Sequence, residues 1–575
     1  MPRTYRRRSV QDELSCKEQG VVDWAGQDPP CDEESPLTIA KPDPTEDVGH
    51  VSDLDIVEHE IIVESSGRRR LILAAMCVAL VAVVASVSGL NVAQQALAED
   101  LGGTQSQLLW IINGYTLALA ALLLPVGAIG DRWGRKPILM IGLVAFCATN
   151  LASAFATDPG MLIGLRVLAG VAAAMVMPVT LSVITTSFPR EEQAKAIGTW
   201  AGFAGAGGII GLFVSAAIID NATWPWVFAL PIALAAISFA LTAAFVPHSV
   251  EHTEAGFDVV GSLLSVVAVG GLVLAFHEGP EQGWTAPVTI AAITAGIAAS
   301  IAFVVVELRR DHPLLDVRIF ALRGLASGSV NLFVVFAVMF SLFLVLVQYL
   351  QAILGYSALK AASGLLPMAV MMMPLSTIAP TIADRFGFRR TLVTGMLAMA
   401  TGLVVFALQA DPDGGYLTVL PGAIILGAGV GLAMSPSTAA ITSSLPEEKQ
   451  GVASSLNDTV REMGGAVGIA LIGSVLNSAY RANIEPATAA LPPDVAHPVS
   501  EGIGGALAVA GQMGDGGGVL VESARQAFVD GMTPALLLAA GISVAAAIFT
   551  AVRGPKTAAE AEPRLHTPEP ADTSG

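Results

Sequence analysis

The chain has 575 residues, 53% of them apolar and only 14% charged, with a formal net charge of −18 and a mean hydropathy of +0.66. A soluble domain carries about a quarter charged residues, so these figures exclude an ordinary globular protein. No nucleic-acid partner is expected.

Residues 1–66 hold sixteen acids against six bases, with several prolines and no long apolar run. That composition predicts an acidic disordered tail over 1–67, either a solvating extension or a regulatory, partner-binding segment. No secretory h-region opens the chain, because the first apolar run begins near Leu71 and is too long for one. The cysteines Cys16, Cys31, Cys77 and Cys147 show neither metal-ligand spacing nor a disulfide framework and read as free thiols.

From there apolar runs long enough to span a bilayer recur to the end of the chain. They are expected at 69–97, 107–130, 137–156, 160–187, 195–219, 225–246, 258–277, 286–307, 326–353, 359–383, 389–409, 416–443, 451–479 and 533–552. The fold class is therefore an all-α polytopic membrane protein with fourteen transmembrane helices. Numbering the loops alternately sorts the bases onto one side. That side holds Arg68–Arg70, then Arg132, Arg135 and Lys136, then Arg190 and Lys195, Arg309 to Arg323, Arg385 to Arg390, and Lys449. The short loops opposite hold none, and the long loop 480–532 holds Arg481 and Arg525. Lys and Arg gather in cytoplasmic loops, so both termini are expected in the cytoplasm, loop 480–532 outside, and the chain in the plasma membrane.

Two features repeat. Asp131-Arg132-Trp133-Gly134 is echoed 253 residues later by Asp384-Arg385-Phe386-Gly387. Gly207-Gly208-Ile209-Ile210-Gly211 is echoed 257 residues later by Gly464-Gly465-Ala466-Val467-Gly468. Nearly equal offsets argue for duplication. They divide the chain into a six-helix bundle at 68–246, an inserted helix pair with linkers at 247–325, a second six-helix bundle at 326–553, and a cytoplasmic tail at 554–575.

Parallel six-helix halves around a midplane site are the build of major facilitator transporters, and the motifs resemble that superfamily. GAIGDRWGRK (127–136) is similar to its loop 2–3 signature, and LIGLRVLAGVAAA (162–174) to its helix 4 signature. LNVAQQAL, WIINGYTLALAALLLPVGAIGDRWGRK, QYLQAILGYSALKAASGLLP and ESARQAFVDGM resemble the fourteen-helix drug:proton antiporter family in particular, over roughly 68–553. The resemblance implies export of amphipathic drugs or related small molecules by alternating access, coupled to protons. The implied partners are an amphipathic substrate, protons and membrane lipids, and the chain is expected to be a monomer. No nucleotide loop, metal motif or serine elbow is present in the sequence, so no enzyme, cofactor or metal is expected.

The resemblance implies a conformational latch made of Gly127, Asp131, Arg132, Gly134, Arg135 and Lys136, with Asp384 and Arg385 in the second copy. Asp131 would meet the N-terminus of a helix in the other half, where the helix dipole favours a carboxylate. Simple positive-inside anchoring is the alternative, and it needs the bases but neither the Asp nor the glycines.

Charges inside a span are costly and usually functional, which singles out Arg166, Asp458, Arg461 and Glu462 for proton coupling or a cavity charge. The alternatives are snorkelling for Arg166 and a local salt bridge for the other three. Gly207, Gly211, Ser215, Gly464 and Gly468 read as close helix packing. The family's antiporter signature in helix 5 lacks its proline and later glycines here. Helix 1 carries Ser86 where the family usually places an Asp, so coupling needs another carboxylate, with Asp258, Glu307, Asp458 and Glu462 as candidates. Expected cavity groups are Asn91, Gln94, Asn113, Tyr115, Phe333, Gln348 and Gln351, with Met371–Met373 as adaptable lining. A dedicated metabolite, lipid or antibiotic exporter and a transporter-like sensor remain the competing readings.

Overall fold

The computed structural model describes residues 63, 65–102, 104–247, 257–489 and 491–556. The expectations for the acidic tail before residue 63 and for the tail after residue 556 lie outside the described residues. Among the described residues sixteen α-helices run in chain order: α1 Ser66–Leu101, α2 Gln105–Trp133, α3 Arg135–Ser153, α4 Pro159–Ser187, α5 Arg190–Ile219, α6 Ala229–Phe245, α7 Val259–Gln282 and α8 Pro287–Glu307 form the first eight. They continue with α9 Arg323–Gln348, α10 Ala358–Phe386, α11 Phe388–Gln409, α12 Leu420–Thr442, α13 Gln450–Thr488, α14 Pro493–Glu501, α15 Ile503–Gln512 and α16 Gly518–Arg553. Among the described residues fourteen helices are long and apolar enough to cross a membrane, all but α14 and α15.

Local chemistry starts these helices where hydropathy alone leaves their ends vague. Thr104 and Gln107 form a reciprocal capping box ahead of α2. Asp158 accepts from the Met161 amide at 2.9 Å, and Pro159 opens α4. The turns after α2 and α10 pass through Gly134 at φ 99° and Gly387 at φ 98°. A side chain there would be strained, which explains why the two copies of the motif share this glycine.

The echoed segments also make matched contacts. Lys136 at the start of α3 donates to the Ala243 and Val246 carbonyls at the end of α6, at 3.1 and 2.7 Å. Arg389, 253 residues on, donates to the Gly554 carbonyl after α16 at 2.7 Å. In both halves a basic side chain thus satisfies the open carbonyls that end the sixth helix. The Gln193 amide donates to the Thr185 and Phe188 carbonyls, and Gln450 repeats this 257 residues later on Thr442 and Leu445. Four more residues therefore separate the later helices of the halves than the earlier ones. The inserted α7 and α8 pack on each other, with α7 also against α2 and α13.

The segment expected as loop 480–532 is mostly helical. α13 continues to Thr488, α14 and α15 follow, and α16 begins at Gly518. The apolar stripe of α13 continues past the expected end of the span at 479: Leu476, Tyr480 and Ile484 lie one turn apart, all buried. Tyr480 donates its hydroxyl to the Val499 carbonyl at 3.1 Å. Arg525 donates to the carbonyl of Ile353, which lies in a π-helical turn at the end of α9. The side opposite the basic loops is therefore covered by a packed helical cap.

Candidate functional site

The two halves meet closely near the basic loops. Gly127 of α2 faces Ser455 and the Gly451 carbonyl of α13, and a Cβ at Gly127 would overlap both. Gly198 and Gly202 of α5 lie against the Ser376 and Met373 backbone of α10, and the Ser376 hydroxyl donates to the Gly198 carbonyl at 2.9 Å. Small residues here bring backbones together where lipid supplies no hydrophobic drive.

At this seam Asp131 accepts from the backbone amides of Gly451 at 2.7 Å and Val452 at 3.1 Å, the first turn of α13. Helix N-termini leave such amides open, and the dipole favours an anion there. Arg135 donates to the same carboxylate at 3.3 Å. The carboxyl is only 10% exposed, so these bonds are poorly screened. Arg132 is partly buried beside them.

The second copy of the motif is placed differently. Asp384 and Arg385 are exposed, Arg385 lies over the Phe386 ring, and Asp384 is docked on no helix N-terminus. The register supplies the reason. Pro380 stands where the first copy has Gly127, and Ala194 of α5 stands where α13 has Gly451. The contact that Asp131 makes with the first turn of α13 thus has no counterpart at Asp384 among the described residues.

Within the first half, Arg166 of α4 is fully buried. It donates to Ser86 Oγ at 2.8 Å, to the Ser86 carbonyl at 3.2 Å and to the Ile111 carbonyl at 3.3 Å. Its guanidinium stands 4.2 Å from the Tyr115 ring centre. Ser86 in turn donates to Asn150 Oδ1 at 3.1 Å. The position at which the resemblance implies an acid is thus the partner of the buried arginine, whose hydrogen-bond partners Ser86 and Ile111 are uncharged. Tyr115, expected in the cavity wall, is fully buried and donates its hydroxyl to the Val83 carbonyl at 3.1 Å. It supports Arg166 rather than facing open space. Asn150 was not among the expected site residues; a lone amide in the apolar run of α3 is the signal that could have found it.

α13 carries the second charge cluster. Arg461 ion-pairs with Asp458 at 2.9 Å, both buried, and Asn457 donates to the same carboxylate oxygen at 3.2 Å. The guanidinium lies 4.5 Å from the Phe336 ring centre and 5.5 Å from that of Trp200. Trp200 belongs to α5, so this cation bridges the halves. Glu462, one residue on, is only partly buried and forms no hydrogen bond or ion pair among the described residues. Counting from Gln450, it lies about 18 Å into the helix, within electrostatic reach of Tyr115.

The remaining expected residues are dispersed. Asn91 is exposed and donates to the Val87 carbonyl at 3.2 Å. Gln94, Asn113, Phe333 and Gln348 are partly buried, and Gln351 is exposed in the π-helical turn. None of them lines the apolar cavity of about 610 Å³ between α2, α4, α7 and α8, whose walls include Trp110, Leu117, Val167 and Leu274. Gly211 lies against Ala85 and Ser88 of α1, Gly207 against Val81 and Val84, and Gly464 and Gly468 against Phe333 and Ala337 of α9. Ser215 is buried with its hydroxyl unpartnered, facing Gly89.

Comparison with known proteins places this geometry. The model of the Major Facilitator Superfamily matches residues 73–469. The multidrug efflux pump LfrA of Mycolicibacterium smegmatis is 32% identical over 79% of this chain and 90% of its own. The tetracenomycin C resistance and export protein of Streptomyces glaucescens is 31% identical over 88% of this chain and 96% of its own. Among solved structures, the human organic anion transporter MFSD10 superposes with a TM-score of 0.55 at 10% identity, covering 84% of this chain and all of that one. The proton:xylose symporter XylE gives 0.54 at 12%, over 85% and 97%. These two establish likeness of fold.

Proposed function

Because the chain belongs to the Major Facilitator Superfamily, whose members carry solutes and are not enzymes, we propose that it exports amphipathic small molecules by alternating access, driven by proton antiport. The basic side is cytoplasmic in this reading. The observation that carries it is the docking of Asp131 on the first turn of α13, the helix that also bears Asp458, Arg461 and Glu462. Gate and charge share one rigid element, so a change of charge at mid-membrane can bias the gate.

Glu462 is the coupling carboxylate. Asp458 is committed to Arg461, whereas Glu462 has no ion pair to give up and is the more accessible of the two. Asp131, Gly127 and Arg135 close the cytoplasmic side. Gly134 and Lys136 set the turn and its anchoring, and Arg132 faces the membrane surface. Asn91, Gln94, Asn113 and Gln348 contribute polar groups on the substrate path.

Expression in an efflux-deficient bacterial strain lowers accumulation of exported dyes or antibiotics. In reconstituted vesicles Glu462→Gln cuts substrate-driven proton movement at least tenfold. Unchanged accumulation with the protein in the membrane would contradict export, and undiminished proton movement in the variant would contradict the role of Glu462.

A second reading, a dedicated exporter of a neutral or anionic metabolite, is favoured by one observation. Arg166 hydrogen-bonds only to uncharged groups, so the first half presents a buried cation and a serine in place of the acid that suits lipophilic cations. A substrate panel graded by charge separates the two readings.

A further inference from the structure

The inserted helix pair contains a second acidic pair that the gate and the α13 cluster do not use. Asp258 caps α7, and one of its oxygens accepts from the Gly261 amide at 2.8 Å and from Arg310 at 3.0 Å. Glu307 ends α8, and one of its oxygens accepts from the Leu315 amide at 3.2 Å. Each residue is nearly inaccessible, at 4% and 2% exposure. The remaining oxygens, Asp258 Oδ2 and Glu307 Oε1, are both buried and without a hydrogen-bond donor. They converge on one spot: a Cβ at Gly261 would overlap Glu307 Oε1 and stand 2.7 Å from Asp258 Oδ2. The two carboxyl groups are within hydrogen-bonding range of each other.

Two buried carboxylates facing each other cannot both remain ionised at small cost, and a single proton between them converts repulsion into a hydrogen bond. We propose that Asp258 and Glu307 form a buried one-proton site on the basic side, whose proton holds the linker 308–316 against the start of α13. The proton comes from the aqueous phase and adds to one of the two free oxygens, and the new O–H donates to the other. No other bond forms or breaks, and with Arg310 the cluster goes from a charge of −1 to neutral.

The connection to the gate is direct. Glu307 holds the linker through the Leu315 amide. Lys449 holds the same linker through the Pro313 carbonyl at 3.3 Å. Two residues after Lys449 comes the Gly451 amide on which Asp131 is docked. Among the described residues the charged groups on the surrounding elements are Arg309, Arg310, Asp311, His312, Asp316 and Arg318 around the linker, Asp131 and Arg132 at the end of α2, and Glu448 and Lys449 ahead of α13. Of these, Arg310 ion-pairs with the site.

Infrared difference spectra of the full chain in liposomes, taken across pH, test this. The expected result is a protonated-carboxyl signal of one equivalent at neutral pH that is lost in Glu307→Gln and in Asp258→Asn. Gly261→Ala keeps both carboxyls but wedges them apart, and weakens the signal. Arg310 is 39% exposed, so Arg310→Gln is the variant least disturbing to folding; it carries the signal about one pH unit further into the alkaline range. A signal untouched by all four substitutions would overturn the site. So would a wild-type pair fully ionised at neutral pH that responds instead to added sodium or potassium.

Discussion

Replacing Asp131 with Asn lowers export at least tenfold while leaving the amount of protein in the membrane unchanged. The carboxylate takes two amide hydrogens of α13 and the Arg135 guanidinium. Hydrogen bonds to a charged group contribute about 1.5–3 kcal/mol each. An amide keeps one acceptor and turns its NH2 toward a backbone N–H, so the closed pose loses about 3 kcal/mol, roughly a hundredfold in the ratio of closed to open states. Transport assays in vesicles at matched protein content check this; wild-type rates in the Asn variant would show that the docking has no part in the cycle.

A side chain at position 127 has a comparable effect by a different physical route. The nearest atoms to a Cβ at Gly127 all belong to α13, the Gly451 carbonyl among them at 2.5 Å. Backbone cannot swing aside as a flexible side chain does, and overpacking of this kind costs about 1–3 kcal/mol. Gly127→Ala therefore reduces export about tenfold, and Gly127→Leu abolishes it. Neither weakens the packing inside the first half, so thermal unfolding of that half is unchanged. Pro380→Ala, at the matching position of the second half, changes export by no more than about twofold. Equal effects at 127 and 380 would contradict the one-sided gate.

Much of this architecture is legible in the sequence, because lipid imposes a length and a composition on every span. The fourteen spans follow from apolar runs, and the offsets of 253 and 257 residues point to two six-helix halves. The segment 480–532 was misread because hydropathy ends where the bilayer does, whereas the stripe of Leu476, Tyr480 and Ile484 continues as helix into the cap. Asp384 is legible as a copy of Asp131 but not as an undocked one. That difference depends on Pro380 and Ala194, which matter only once the helices are seen to approach each other. The departure at Ser86 is visible in the sequence, while its partnership with Arg166 and Asn150 joins three helices and needs coordinates. Tyr115 fell among the cavity residues for a similar reason: amphipathic side chains line cavities and support buried cations alike, and sequence does not say which.

In the proposed cycle the halves part on the basic side, and Asp131 holds them shut. Spin labels at Trp133 and Glu448, both exposed and close to the docked residues, report the distance between the ends of α2 and α13 directly. A short distance dominates in the wild type without substrate and gives way to a longer one in Asp131→Asn. Identical distance distributions in the two proteins would contradict it.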